Sequence, residues 1–151
     1  MKTSILHKAL LSNAGAAALI LRVPIGLILA AHGAQKLFGW FGGNGLAGTA
    51  QWLSSMGMEP GLLMAILAGG AEFFGGLALV LGLLTRPAAL VAAFTMLVAI
   101  FSVHISNGLF AADGGYEYAL VLMVALLALA VQGGGSLSLD KALSEKIGSV
   151  K

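Results

Sequence analysis

A chain of 151 residues that is 59% hydrophobic and 9% charged lies far from the roughly 25% charged composition of soluble domains, and reads as a membrane protein of about four crossings with no room for a second domain. Its net charge of +2 comes from basic residues set beside apolar runs rather than gathered in one patch, which excludes a nucleic-acid partner. The absence of cysteine excludes disulfides, thiol electron relays and thiolate-held iron–sulfur clusters, so redox chemistry would need a cofactor or a partner protein.

Met1 to Ser12 form a short basic arm in which His7 has no evident partner. Lys2, Lys8 and the run A-A-A-L-I-L imitate a secretory signal, but Arg22 and Pro24 interrupt it, so an uncleaved first span over residues 14–38 is expected. Pro24 frees the Ile20 carbonyl and should bend this helix. In the long connection from Trp40 to Gly61, Asn44 is positioned to cap a short helix from Leu46 to Met56, with Gly57 ending it. Trp40, Phe41 and Trp52 suit that helix to the membrane interface, as an aromatic anchor or as a lid over a pocket.

Pro60 opens a second span over 61–84, and T-R-P at Thr85 to Pro87 reads as a turn too short for anything but antiparallel neighbours. A third span is expected over 88–106 and, after N-G-L-F-A-A-D-G-G, a fourth over 116–132, stopped by G-G-G. The tail 133–151 is too polar to cross again and suits a short surface helix with Asp140 near its start. The expected fold is therefore all-α: one integral membrane four-helix bundle with a short interfacial helix in the first outer loop.

An even number of crossings puts both termini on one side. Lys2, Lys8, Arg22, Arg86, Lys141, Lys146 and Lys151 fall on that side and Lys36 alone on the other, so the positive-inside rule makes the termini cytoplasmic.

The second span carries A-G-G-A-E-F-F-G-G from Ala68 to Gly76, which sets Glu72 deep in an apolar helix, at a cost of at least roughly 2.5 kcal/mol for an uncompensated charge. Small residues lie within roughly 60° of it at 100° per residue, so a neighbouring helix can approach closely. Glu72 is either a proton carrier or ligand group, or a paired carboxylate that locks helices together. On the first helix Arg22, Gly26, Leu29, His32, Gly33 and Lys36 share one stripe within about 120°. Arg22 could snorkel to the headgroups or pair with Glu72.

His32, Gln35 and Lys36 end the first span, His104 and Asn107 end the third, and Tyr116 and Glu117 begin the fourth, so all belong to the outer half of the bundle. Each has a plainer role: interfacial anchor for Lys36, helix-end cap for His104 and Asn107, first-turn anion for Glu117. Together they suggest a quinone site with imidazoles and carboxylates exchanging protons, a metal or haem site using His32 and His104 with Glu72 or Glu117, or a cavity for a small solute or proton. The metal alternative lacks the Glu-x-x-His signature of bundle sites, and no residue is assigned as a metal ligand.

Six motifs in order, H-G-A-Q-K-L-F from His32, G-G-A-E-F-F-G-G from Gly69, G-L-L-T-R from Gly82, V-H-I-S-N-G from Val103, G-G-Y-E-Y from Gly114 and S-L-S-L-D from Ser136, resemble the DoxX family over Arg22 to Asp140. The resemblance implies a four-helix bacterial inner-membrane protein related to a membrane subunit of thiosulfate:quinone oxidoreductase, some of whose relatives are linked to quinone or catechol stress. It carries over no catalytic residue.

The leading expectation is thus a quinone-linked oxidoreductase or redox subunit. Glu72, His32, His104 and Glu117 would form its proton-handling pocket. Lys36, Asn107 and Tyr116 would meet the head group, and Arg22 would bias the Glu72 charge. Quinone is the expected cofactor, with haem or metal less favoured. Expected partners are the lipid bilayer, a redox partner protein and a small quinone or phenolic ligand, and a homo-oligomer is compatible with the sequence. The alternative is a non-enzymatic transport or accessory protein.

Overall fold

The computed structural model describes residues 10–12 and 14–149, so His7 and most of the amino-terminal arm lie outside the described residues. Six α-helices follow one another with no strand among the described residues: α1 (Ala17–Phe38), α2 (Gly45–Ser55), α3 (Gly61–Leu81), α4 (Thr85–Ala99), α5 (Glu117–Gln132) and α6 (Leu139–Ser149). The protein is an all-α membrane protein. Three helical stretches, Ala17–Phe38, Gly61–Leu81 and Thr85–Asn107, are long and apolar enough to cross a bilayer. The fourth bundle helix, α5, is apolar but has 16 residues, about 24 Å at 1.5 Å per residue. Among the described residues the four bundle helices are joined by the two short helices expected in the first loop and the tail, α2 and α6, which lie at opposite ends.

The stretch Thr85–Asn107 changes pitch near its end, where α4 passes into a π-helical turn at Ile100–His104 and a 3₁₀ turn at Ile105–Asn107. Its beginning corrects the expected T-R-P turn. The chain reverses instead at Gly82 (φ 65°) and Leu84 (φ 48°), and Thr85 to Pro87 already form the first helical turn. Proline fits there because a first-turn amide has no intrahelical acceptor. Asn44 does sit at the α2 amino terminus, but its side chain makes no capping hydrogen bond.

Around the bundle, α1 packs on α3, α3 on α4, α4 on α5, and a lighter α5–α1 contact closes the ring. The α1–α3 seam is set by small residues. A methyl group on Gly33 would lie 2.3 Å from the Phe73 amide nitrogen, and one on Gly76 would lie 2.5 Å from the Ala30 nitrogen. Backbones this close fix the antiparallel register through dispersion contacts, the main attraction left between helices once lipid is the solvent.

The apolar core includes Ile25, Leu29, Leu79, Leu126 and Leu129, together with Ala89, Ala92 and Ala93. Outside, Ile20, Phe74, Phe94, Val121 and Val131 are exposed, as a surface facing acyl chains requires.

Below that core, polar groups tie the α6 end shut. Arg22, 1% exposed, donates through Nε to the Gly134 carbonyl (3.1 Å), through one terminal nitrogen to the Leu79 and Val80 carbonyls (2.8 and 2.5 Å), and through the other to that of Leu137. Arg86 donates to the Ala130 and Val131 carbonyls at the end of α5 (2.9 and 2.6 Å). Asp140, expected on a surface helix, is buried. Its carboxylate accepts from the Leu84 and Thr85 amides (2.6 and 2.8 Å) and caps α4 from another segment of the chain.

Candidate ligand-binding site

The register set by the glycine seam brings Lys36 of α1 opposite Glu72 of α3, with Nζ 2.5 Å from Oε2. The Glu72 side chain is 4% exposed and that of Lys36 30%. This pair compensates the buried carboxylate, because Coulomb attraction in a low-dielectric medium offsets much of the desolvation cost. Arg22 does not supply that charge. It bonds to carbonyls seven and eight residues further along α3, about 10 Å away at 1.5 Å per residue, so the expected Arg22–Glu72 pairing and its bias on the carboxylate are corrected.

Three cavities meet at Lys36, two of which also reach Glu72. The first, about 370 Å³, has walls of Leu53, Met58, Met64 and Val98. Lys36, Glu72 and His104 also line it. The second, about 300 Å³, lies towards α5 and is lined by His32, Gln35, His104 and Tyr118 as well as by the pair. The third, about 330 Å³, is a vestibule under α2 with Gln35, Lys36, Asn44, Thr49 and Trp52 on its walls. Lys36 therefore borders all three, and Glu72 and His104 border two. Each volume is near the lower end of the roughly 300–1,000 Å³ typical of small-molecule sites.

His104 reaches this junction because of the π turn. In a regular helix His104 would lie about 140° round from Ala99, whereas stacking every fifth residue sets it near Ala99 on the cavity-lining face. Its Nδ1 lies 2.7 Å from the Gly114 carbonyl oxygen, which can only accept. Nδ1 therefore carries the proton, and in the neutral ring Nε2 is left as an acceptor. His32 is half-buried and meets Tyr118 edge-on, with ring centroids 6.3 Å apart.

The remaining expected residues fasten the loop between α4 and α5. Asn107 donates to the Gly114 carbonyl (3.3 Å), Glu117 accepts from the Ala111 amide (2.6 Å), and Tyr116 packs against the core cluster. None of the three lines the cavities described above. The structure therefore gathers His32, Lys36, Glu72 and His104 and sets Arg22, Asn107, Tyr116 and Glu117 apart. It adds Tyr118, and it sets Gln35 and Trp52, expected as a span-end residue and as part of an anchor or lid, on the cavity walls. Tyr118 was legible, since it sits four residues before Leu122 on the inward face while Glu117 is turned about 100° away.

Among the described residues no three His, Asp or Glu side chains gather into a metal-binding cluster. The donor set fits a ring with two oxygens. Lysine can donate to a carbonyl oxygen, and the carboxylate or an imidazole Nε2 can accept from a hydroxyl.

Fold and site together define a small multi-pass membrane protein with an ion pair at the meeting point of an apolar chamber and a polar vestibule. The chain belongs to the DoxX family, whose model matches residues 17–105. The Escherichia coli inner membrane protein YqjF is 36% identical over 110 residues, 72% of this chain and 82% of that one. A Bacillus subtilis protein provisionally named as an oxidoreductase, CatD, is 31% identical over 122 residues, 81% and 83% of the two chains. An uncharacterized Haemophilus influenzae protein is 40% identical over 74 residues, 49% of each chain. No solved structure matches the chain.

Proposed function

We propose that this is an inner-membrane, quinone-linked redox protein or the membrane subunit of a redox complex, whose head-group site is the junction at Lys36, Glu72 and His104. The part-buried Lys36–Glu72 pair carries the reading. It is a charge pair held deep in the bundle beside empty space rather than packed over, as a site for a polar-headed ligand requires. The inner-membrane name of YqjF and the provisional oxidoreductase name of CatD point the same way.

A bound quinone would supply the two-electron, two-proton chemistry. Within the chain, Lys36 donates a hydrogen bond that orients a ring oxygen, and Glu72 and His104 hold protons beside it. Lys36 also borders the vestibule and so connects Glu72 to water. The electrons come from a partner protein, since the chain has no thiol to relay them. Both termini face the cytoplasm in this reading, and the vestibule opens on the opposite side.

The test is quinone analysis of lipids extracted from the purified protein, together with titration of a benzoquinone against tryptophan fluorescence, to which Trp52 on the cavity wall should respond. Retained quinone, and quenching that weakens at least tenfold in Lys36→Met, are expected. Protein that neither retains quinone nor responds to it overturns the proposal.

A further inference from the structure

We infer that the site is entered sideways from the bilayer, through a portal at Val98 of α4 and Ser102 of the π turn that follows it, and that its ligand is a membrane-dissolved ring compound with a long apolar chain rather than a water-soluble ring. The inference rests on the quinone reading above and adds the class of quinone and its route.

The larger chamber joins three titratable groups, Lys36, Glu72 and His104, to a lining that is otherwise largely apolar, with methionines at Met58 and Met64. Methionine adapts its shape to an irregular apolar occupant. Val98, on α4, and Ser102, in the π turn that follows it, line the same chamber and are exposed, Val98 to 38%. Val98 lies nine residues before Asn107, about 14 Å along the helix axis from that end of the span, so the exposed wall is at acyl-chain depth. The one further hydroxyl on this wall, Thr95, is bonded to the Val91 carbonyl (3.1 Å) and does not make the portal polar.

The other routes differ. The α1–α3 seam is closed by backbone contact at Gly33 and Gly76. The vestibule is lined by Gln35, Asn44 and Thr49 and reaches Lys36 without bordering Glu72. A ring arriving between α3 and α4 therefore meets Lys36 and Glu72 with its oxygens while its chain remains in lipid, and protons reach the pair through the vestibule.

The test uses the full chain in lipid nanodiscs and two probes with the same 2,3-dimethoxy-5-methyl-benzoquinone ring, one without a tail and one with a decyl chain, each referred to its own concentration in the membrane. The tailed probe should bind at least tenfold more tightly to the wild-type chain. Val98→Trp should lower that ratio at least fivefold, and Ser102→Leu supplies the same test if the tryptophan variant does not fold. Val121→Trp, which adds equal bulk to an exposed position on α5, should leave the ratio unchanged. A ratio that stays put in both portal variants, or a wild-type preference for the tail-less ring, overturns the portal while leaving the quinone reading intact. Binding of neither probe by the wild-type chain removes both.

Discussion

At one end of the bundle Arg22 is 1% exposed and its hydrogen bonds end on backbone carbonyls, whereas at the other Glu72 is 3% exposed and held by a lysine that borders three cavities. Both are buried charges, yet their surroundings differ in kind. Carbonyls from α3 and from the segment before α6 consume the guanidinium, and the core closes over it. The carboxylate is compensated by one part-exposed side chain, beside space large enough for another molecule. A buried charge satisfied by several backbone segments is a staple; one satisfied by a side chain next to a void can exchange that partner for a ligand.

The difference is most directly broken at Arg22. Arg22→Met leaves the Leu79, Val80, Gly134 and Leu137 carbonyls without this donor and should cost about 3–5 kcal/mol, since each buried acceptor that loses its charged donor costs roughly 1–3 kcal/mol, read as a large fall in thermal midpoint. Arg22→Lys should recover only part of it, because an ammonium cannot reproduce the planar fork.

Next comes the seam that joins the two ends. Gly33→Ala places a methyl group 2.3 Å from the Phe73 nitrogen, so α1 and α3 must separate, at about 1–3 kcal/mol. Because the same seam sets Lys36 against Glu72, quinone binding should fall with stability. Unchanged binding in a destabilised Gly33→Ala would show that the pair does not depend on this register.

At the closed end again, Asp140→Ala removes both acceptors from the start of α4 and should cost about 1–2 kcal/mol, with Asp140→Asn losing less. Its particular sign is release of α6, seen as faster proteolysis after Gly133 to Gly135, with little change in ligand affinity.

How far this contrast could be read from the chain depends on the residue. Glu72 among glycines announced both a costly charge and a close helix approach, and the structure uses Gly69 and Gly76 in that way. The stripe of Arg22, Gly26, Leu29 and Gly33 was legible by periodicity, and those residues are buried. Which base answers Glu72 was not, because it depends on the antiparallel register, and register comes from backbone contacts that spacing along one helix cannot report. His104 was placed in the right half, but the π turn that aims it breaks the very periodicity used to read helices. Glu117 was misjudged for a different reason. A first-turn carboxylate can serve the loop before it as well as a pocket, and here it binds the Ala111 amide. Asp140 looked exposed because its segment is polar, and its partners lie 55 and 56 residues away in sequence.

The smallest stability effect should come from the open end, and it separates the two kinds of charge most sharply. Glu72→Gln removes a buried carboxylate together with its desolvation cost, the amide oxygen can still accept from Lys36, and Lys36, 30% exposed beside the vestibule, can hydrate if it does not. The net change should stay below about 1 kcal/mol, since the lysine left without its partner is part-exposed and can turn to water, and pairs with a solvated member contribute about 0–1 kcal/mol. Quinol affinity should nonetheless fall about tenfold, because a neutral amide oxygen accepts from the ring hydroxyl more weakly than a carboxylate does. Lys36→Met should weaken binding similarly and cost somewhat more stability, as it leaves the carboxylate to be neutralised by protonation. If Glu72→Gln instead destabilises the protein as much as Arg22→Met, the open-end pair is a staple like the other, and the cavities around it are incidental to what the bundle does.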